Sequence, residues 1–390
     1  MPASAPVLSV LDLVPVSSGR TRAQALAEMI ELARTADANG YHRYWIAEHH
    51  GSTTYLAAAT TVLMGQVLAA TERIGVASGG IMLPNHAPLV VAEQIGTLAE
   101  LYPGRVGLGL GRAPGTDPLT AAALRRRNAD PRSFAEEVLE TLAYLGQVPD
   151  GATAGTPGSL QPDSAGTRHR PSQAPADGRL ARLAAAAARP AGETGDEAAH
   201  DAPHRRRVRA VPGEGTDPQA WVLGSSVNGA RVAGTLGLPF AVASHFAPAQ
   251  AEAAIVTYRS VFDADAPTSP DARPHVAAAV NVMVAPTEAE AQRQFTTAMS
   301  AAARVVGGCP GPLDPPSEDL RAWTAHAPGR EEAVEQAMAL SYVGQAEDVA
   351  ARLRGLAQRW ELEEVLVVVY AHDARVRRRA YEMLAQAWAT

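Results

Sequence analysis

The sequence predicts a single (β/α)₈ barrel, because short apolar runs of strand type alternate with amphipathic helical segments along most of its 390 residues. We count eight such runs, the number of strands in that fold. Hydrophobic residues make up 46% of the chain and charged residues 19%, so the composition can fill one large core. We therefore expect one domain over residues 1–390.

The predicted strands and helices follow one another in the order that parallel βα units require. The strands are residues 7–13, 43–47, 74–78, 106–110, 221–223, 240–243, 278–284 and 364–369. The first helix is predicted where Leu26, Met29, Ile30 and Ala33 form one apolar stripe. The other helices are predicted over residues 55–69, 89–101, 134–145 and 374–388.

Residues 149–212 break this pattern, and we interpret them as a mobile, low-complexity insertion before strand five. The stretch is rich in Ala, Pro, Gly, Asp and Arg and nearly empty of Ile, Phe and Trp. Burial of so few apolar groups cannot offset an ordering cost of about 1–2 kcal/mol per residue. A second insertion is predicted around residues 310–329.

The charge and the cysteine content exclude several classes of protein. The net charge is −7, and the basic runs at 125–127, 205–207 and 377–379 are short and lack interleaved aromatics, which argues against a nucleic-acid partner. The only cysteine is Cys309, so an intrachain disulfide is impossible and a reducing compartment fits. With no signal-peptide pattern and no apolar run of about 18 residues, we expect a cytoplasmic protein without a membrane segment.

The first cluster with catalytic potential is Glu48-His49-His50, directly after strand two. In a barrel, the loops after the strands form the active face. An imidazole there can donate or accept a proton near neutral pH. The alternative is a hydrogen-bonded structural histidine pair, and the pattern alone does not separate the two.

The second cluster, Ser78-Gly79-Gly80, ends strand three. Two residues without side chains would let a flat ring approach the backbone closely. The alternative is an ordinary turn in which glycine supplies a positive φ.

A glycine-rich strand leads into Arg112, and glycines alternate along it from Gly107 to Gly111. A dinucleotide fingerprint would need glycine where Arg112 stands, so that interpretation fails. Alternating glycines would instead thin the inner wall of the barrel. Arg112 at the strand's end could pair with a phosphate, or form a surface salt bridge.

Ser225 and Ser226 follow strand five and precede a helix, where free backbone N–H groups and hydroxyls form a phosphate seat. A hydrolase nucleophile elbow would need glycine at Asn228, so it is excluded. Metal-hydrolase motifs and a phosphate-binding P-loop are also missing from the sequence, and we expect no metal site.

Taken together, three ordered segments resemble the bacterial luciferase-like, flavin-dependent monooxygenases. The segments are Trp45–His50, Gly79–Pro84 and Gly104–Arg112. The resemblance covers most of residues 7–148 and 213–390. It implies a barrel that binds reduced FMN (FMNH₂) from a separate flavin reductase, forms a flavin C4a-hydroperoxide with O₂ and oxidises a small organic substrate. Use of the deazaflavin F420 on the same barrel, or a flavin-binding protein without turnover, remain alternatives.

The resemblance also assigns roles by position and implies a homodimer. His49 corresponds to the catalytic histidine. The expected cofactor-binding residues are Gly79 and Gly80, a small pair often joined by a cis peptide, together with Arg112, Ser225, Ser226, Ser244 and His245. Gly111 stands where the luciferases have a reactive cysteine, which argues against light emission. A second phosphate-binding arginine is expected near Arg132.

Overall fold

The computed structural model describes residues 5–124, 131–148 and 208–390, with only the backbone at 131–132. Eight parallel strands close into a barrel, because the last strand pairs with both the first strand and the seventh. This confirms the (β/α)₈ prediction. The barrel strands are β1 (Val7–Asp12), β2 (Arg43–Ile46), β3 (Gly75–Ser78), β5 (Val106–Gly111), β6 (Gln219–Gly224), β7 (Phe240–Val242), β8 (Val276–Val284) and β10 (Glu364–Val368).

Helices connect the strands and surround the barrel. They are α1 (Arg22–Ala38), α2 (Thr60–Ala70), α3 (Pro88–Leu101), α4 (Pro118–Ala123), α5 (Pro131–Leu145), α6 (Val227–Thr235), α7 (Ala251–Ser260), α8 (Glu288–Val306), α9 (Glu331–Ala337), α10 (Ala346–Trp360) and α11 (Ala374–Trp388). In the part of the chain that the structure describes, none of the helices is long and apolar enough to cross a membrane.

Two short strands outside the barrel escaped the sequence prediction. β4 (Ile81–Met82) pairs with β5, and β9 (Ser341–Gly344) pairs with the carboxyl-terminal half of β8. Each is too short to show a period of two. The predicted helix over 55–69 was wrong at its start, since α2 begins at Thr60. Tyr55 instead forms an isolated bridge with Pro15, residues 57–58 form a turn, and the Leu56 N–H donates to the Val14 carbonyl at 2.9 Å.

The predicted second insertion, residues 310–329, packs over the loops at the carboxyl ends of the strands. Leu313 is fully buried and pairs with Ser17 in the loop after β1. The Thr54 hydroxyl donates to the Gly311 carbonyl at 2.8 Å. The segment therefore closes part of the barrel mouth, which its polar sequence does not reveal.

The inner wall of the barrel is thin along β5, as the alternating glycines predict. A Cβ at Gly109 would lie 2.1 Å from the Ser78 carbonyl oxygen and 2.6 Å from Leu223. The Ser78 hydroxyl bridges the same two strands, donating to the Gly109 carbonyl at 2.8 Å. Glycine at this position brings β3 and β5 close together beneath the candidate site.

The described flanks of the predicted insertion lie near the amino end of β6. The Gly215 N–H donates to the Leu145 carbonyl, and the Gln147 side chain donates to the Pro218 carbonyl, which directly precedes β6. Strand ends of this polarity face away from the active face of a barrel. Residues 149–207 lie outside the described ranges, so the prediction about the insertion itself stays a prediction.

Gly96 on α3 is the contact point for the returning chain, and Gly96→Ala should destabilise the fold. A Cβ there would lie 2.1 Å from the Gly213 Cα, an impossible contact with backbone. We expect a loss of about 1–3 kcal/mol, measured by urea unfolding. Gly355→Ala in α10 is the control: its Cβ meets nothing within 4 Å, and alanine should stabilise the helix by up to about 1 kcal/mol. Equal changes in unfolding free energy in the two variants would contradict a close contact between Gly96 and Gly213.

Candidate active site

A cavity of about 430 Å³ opens at the carboxyl ends of the barrel strands, within the range of small-molecule sites. Its lining comes from loops that are far apart in sequence. His49, Gly79, Arg112, Ser225, Ser226 and His245 all contribute to the lining. Six of the eight site residues expected from the sequence are therefore brought together in one place.

The loop after β2 places His49 in the cavity wall. Its backbone N–H donates to the Ala57 carbonyl at 2.6 Å, which folds the loop back on itself. The His49 ring lies 5.4 Å, centroid to centroid, from the ring of Tyr55. Tyr55 lies in turn beside Tyr370, at the end of β10. The histidine is thus packed against aromatic rings and open to the cavity.

His49 and His245 are both neutral at physiological pH. Burial lowers the pKa of His49 to about 4, although the nearby Glu48 carboxylate opposes this shift. Burial likewise lowers the pKa of His245 to about 3, and His49 adds to the shift. In each ring the buried Nδ1 has no hydrogen-bond partner among the described residues. Two neutral imidazoles, each with an unpartnered buried Nδ1 among the described residues, therefore line one cavity.

Arg112 and the start of α6 contribute polar groups to the cavity lining. Arg112 directly follows β5, and Ser225 and Ser226 link β6 to α6. Ser226 is the residue before the first turn of α6, yet its hydroxyl does not cap the helix. The first N–H groups of α6 carry a partial positive charge, which favours an anion. This part of the lining has the chemistry of a phosphate site.

The flat part of the lining comes from Gly79 and Gly111. The peptide bond between Gly79 and Gly80 is cis, as the family resemblance implies. A Cβ at Gly79 would lie 3.0 Å from side-chain atoms of both Leu11 and Trp45. Glycine at position 79 therefore leaves room for Leu11 and Trp45, and only backbone lines the cavity there.

Two of the expected residues do not reach the cavity. Gly80 points toward β5, where a Cβ would lie 2.8 Å from the Gly109 carbonyl oxygen. Ser244 is fully buried, and its hydroxyl donates to the Ala279 carbonyl at 2.6 Å. The expected second arginine, Arg132, has a side chain outside the described part of the structure. In the described residues, Arg112 is the only lining side chain with a permanent charge.

Most of the remaining lining is apolar, and the sequence analysis did not assign it to the site. It comprises Leu11, Leu13, Ala47, Met82, Leu223, Ala241, Phe246, Ala279 and Leu366, among others. Several of these lie on barrel strands and look like ordinary core residues in the sequence. Phe246 is 58% exposed at the rim and packs edge-on against His245. In the sequence, the position of Phe246 directly after Ser244 and His245 was the signal that could have assigned it to the site.

Beside the cavity, Glu48 accepts hydrogen bonds from two histidines. The nearest donor atoms are the Nε2 of His50 at 2.9 Å and the Nε2 of His86 at 3.0 Å. The ligand-type atoms of these three residues lie within 4.8 Å of one another, a composition that metals also use. The separations of 2.9 and 3.0 Å are those of hydrogen bonds. We therefore describe the group as a hydrogen-bonded cluster, and the expectation of no metal stays a prediction.

Comparison with known proteins identifies the family. Residues 8–361 match the family model described as luciferase-like monooxygenase. The chain belongs to this family. A luciferase-like monooxygenase of Escherichia coli (strain K12) is 35% identical over 377 residues, covering 96% of this chain and 95% of that protein. The uncharacterised protein YvbT of Bacillus subtilis (strain 168) is 37% identical over 383 residues, covering 98% and 96%.

Solved structures of luciferase-like proteins have the same fold. The crystal structure of apo-MsnO8 is 31% identical, covers 98% of both chains and superposes with a TM-score of 0.76. The fold also matches the FMN complex of the oxygenating constituent of 3,6-diketocamphane monooxygenase from Pseudomonas putida, at 18% identity and a TM-score of 0.64. It matches an F420-dependent secondary alcohol dehydrogenase at 14% identity and 0.59. At these low identities, the two likenesses show the shared barrel fold.

Proposed function

We propose that this luciferase-like protein is a two-component monooxygenase that takes FMNH₂ from a separate reductase and uses O₂ to oxidise a small organic molecule. The observation that carries the proposal is the composition of the cavity lining. It brings Arg112 and the start of α6 together with the neutral His49 and a set of apolar side chains. The family membership supports an oxidoreductase, and the cavity supports a cofactor with one phosphate and one flat ring.

The described residues offer groups suited to both the phosphate and the ring of FMN. Arg112, Ser225, Ser226 and the first N–H groups of α6 would hold the phosphate. The isoalloxazine ring would lie against the small-residue surface at Gly79. The bound reduced flavin would supply the electrons and the reaction with oxygen.

The chain's own residues would control water and protons around the reaction. The apolar side chains of the lining would exclude water from the reacting atoms. His49, neutral because it is buried, can accept or donate a proton at a ring nitrogen that faces the cavity. The buried Nδ1 of His49 has no hydrogen-bond partner among the described residues.

Arg112→Ala should weaken FMN binding by about 2 kcal/mol or more, in the range for charge-assisted hydrogen bonds. Riboflavin lacks the phosphate, so its affinity should hardly change. Fluorescence titration of the variant with both ligands measures the difference. Equal losses for FMN and riboflavin would show that Arg112 acts on the fold instead.

Titration of the purified protein with FMNH₂ and with reduced F420 tests the choice of cofactor. We expect tight binding of FMNH₂ and oxygen-dependent oxidation of at least one compound in a panel of uncharged organic substrates, with a flavin reductase supplying the cofactor. Hydride transfer with reduced F420 alone would establish the deazaflavin alternative. Flavin binding without any turnover would establish the accessory-protein alternative. Sedimentation analysis tests the proposed homodimer.

Replacing residues 150–207 with a short Gly/Ser linker should preserve flavin binding, turnover and the melting temperature. The flanks join the barrel near the amino end of β6, away from the cavity. Limited proteolysis should also cut first within residues 150–210. A folded deletion variant that no longer bound flavin would show that this segment belongs to the site.

A further inference from the structure

Glu48 is a buried carboxylate with an unusual set of partners. Its side chain is 1% exposed, yet no described arginine or lysine pairs with it. Its Oε1 accepts from His50 at 2.9 Å, and from Asn85 at 3.1 Å. Its Oε2 accepts from the Met82 N–H at 3.1 Å, and His86 Nε2 lies 3.0 Å from both oxygens. These donors come from two separate loops.

The partners determine the charge of the carboxylate and the tautomers of the histidines. Hydrogen bonds from His50 and His86 lower the pKa of Glu48 to about 2, against the effect of burial. An ionised carboxylate only accepts hydrogen bonds, so both histidines must carry their proton on Nε2. A glutamine at position 48 would present an amide N–H group to one of these donors. The carboxylate is therefore the side chain that satisfies all four partners.

His49 lies between Glu48 and His50 but faces the other way. The cavity lining includes His49 and neither of its neighbours. The His50 N–H donates to the Gly115 carbonyl at 3.1 Å, which ties the same loop to the lining after β5. The hydrogen bonds of Glu48 therefore fix the segment that carries His49 on the side away from the cavity.

We propose that Glu48 is a positioning residue, whose carboxylate ties the loop after β2 to the loop after β3 and thereby holds the His49 imidazole in the cavity. The inference rests on the proposed function for the role of His49 in turnover. The position of the His49 ring can be measured without any turnover.

Glu48→Gln tests the inference against a matched control, Glu364→Gln. Glu364 is also buried, at 2% exposure, and accepts from Trp45 at 2.8 Å and Arg43 at 2.7 Å at the opposite end of the barrel. Both variants should have a lower melting temperature than the wild type. Only Glu48→Gln should shift or broaden the His49 signals in ¹⁵N-histidine NMR spectra. Only Glu48→Gln should lower kcat by about 10²-fold, the effect of a misplaced catalytic group, while FMN affinity stays within about threefold.

His86→Phe carries the test if Glu48→Gln does not fold, since it removes one donor and leaves the segment 48–50 intact. It should also shift or broaden the His49 signals, as expected for Glu48→Gln. Unchanged His49 signals in a folded variant would overturn the inference, as would an equal loss of turnover in Glu364→Gln. Turnover lost on EDTA treatment and restored by Zn²⁺ would also overturn it. Failure of the wild type to bind FMN would instead refute the proposed function, and the NMR comparison would still decide the role of Glu48.

Discussion

Arg377→Ala should lower the free energy of unfolding by about 3–5 kcal/mol, because it leaves a buried carboxylate without its cation. Asp12 on β1 is fully buried, and Arg377 on α11 donates to it at 2.6 Å. Arg377 also donates to the Val369 carbonyl at 3.0 Å. The same carboxylate accepts from the Tyr44 hydroxyl on β2. This network ties the last helix to the first two strands, where the barrel closes.

Urea unfolding of four variants measures this effect. Arg375→Ala is the matched control on the same helix, since its side chain is 84% exposed and pairs only with Asp373. It should change stability by less than about 0.5 kcal/mol. Asp12→Asn combined with Arg377→Met should be less destabilised than Arg377→Met alone, because the stranded charge is gone. A loss below about 1 kcal/mol for Arg377→Ala would contradict a closing role.

His49→Ala should slow turnover by about 10²-fold or more while FMN affinity is retained, the loss expected when a general acid or base is removed. FMN affinity should be retained because the proposed phosphate-binding groups, Arg112 and the start of α6, follow other strands than His49 does. His275→Ala is the control, because His275 precedes β8 at the opposite end of the barrel. Steady-state kinetics at saturating FMNH₂ measures both. Unchanged turnover in His49→Ala would remove the residue from the mechanism.

The same variant should also change how stability depends on pH. In the unfolded chain a histidine has a pKa near its ordinary value of 6.5, whereas burial lowers the pKa of folded His49 to about 4. Between these values the unfolded state binds more protons, so wild-type stability should fall as the pH drops below about 6.5. His245 acts in the same direction. His49→Ala should make this fall shallower, and an unchanged slope would show that His49 titrates normally in the fold.

The fold could be predicted largely from the sequence because each barrel strand is a short apolar run followed by an amphipathic helix. The runs at 7–13, 43–47 and 364–369 correspond to β1, β2 and β10 within a residue or two. β9 was missed because four residues are too few to show an alternating pattern in the sequence, and the strand is defined by its pairing with β8. The start of the helix predicted from residue 55 was wrong because contacts with the loop after β1 override the local helix propensity there.

The site was predictable where a residue's position at a strand end carried its meaning. His49 and Arg112 were found in this way, whereas His245 was expected only from the family resemblance, and all three line the cavity. Glu48 was seen only as a neighbour of His49. Its partner His86 is 38 residues away, and nothing in the sequence links the two. Burial, which makes the histidines neutral, is a property of the folded chain alone.

A crystal structure of the FMN complex tests the central claim most directly. We expect the phosphate within hydrogen-bond distance of Arg112 and Ser226 at the start of α6, with the ring against Gly79 and one edge facing His49. FMN bound elsewhere on the barrel would contradict the proposed site. FMN bound in this cavity with its phosphate beside His49 would contradict it as well.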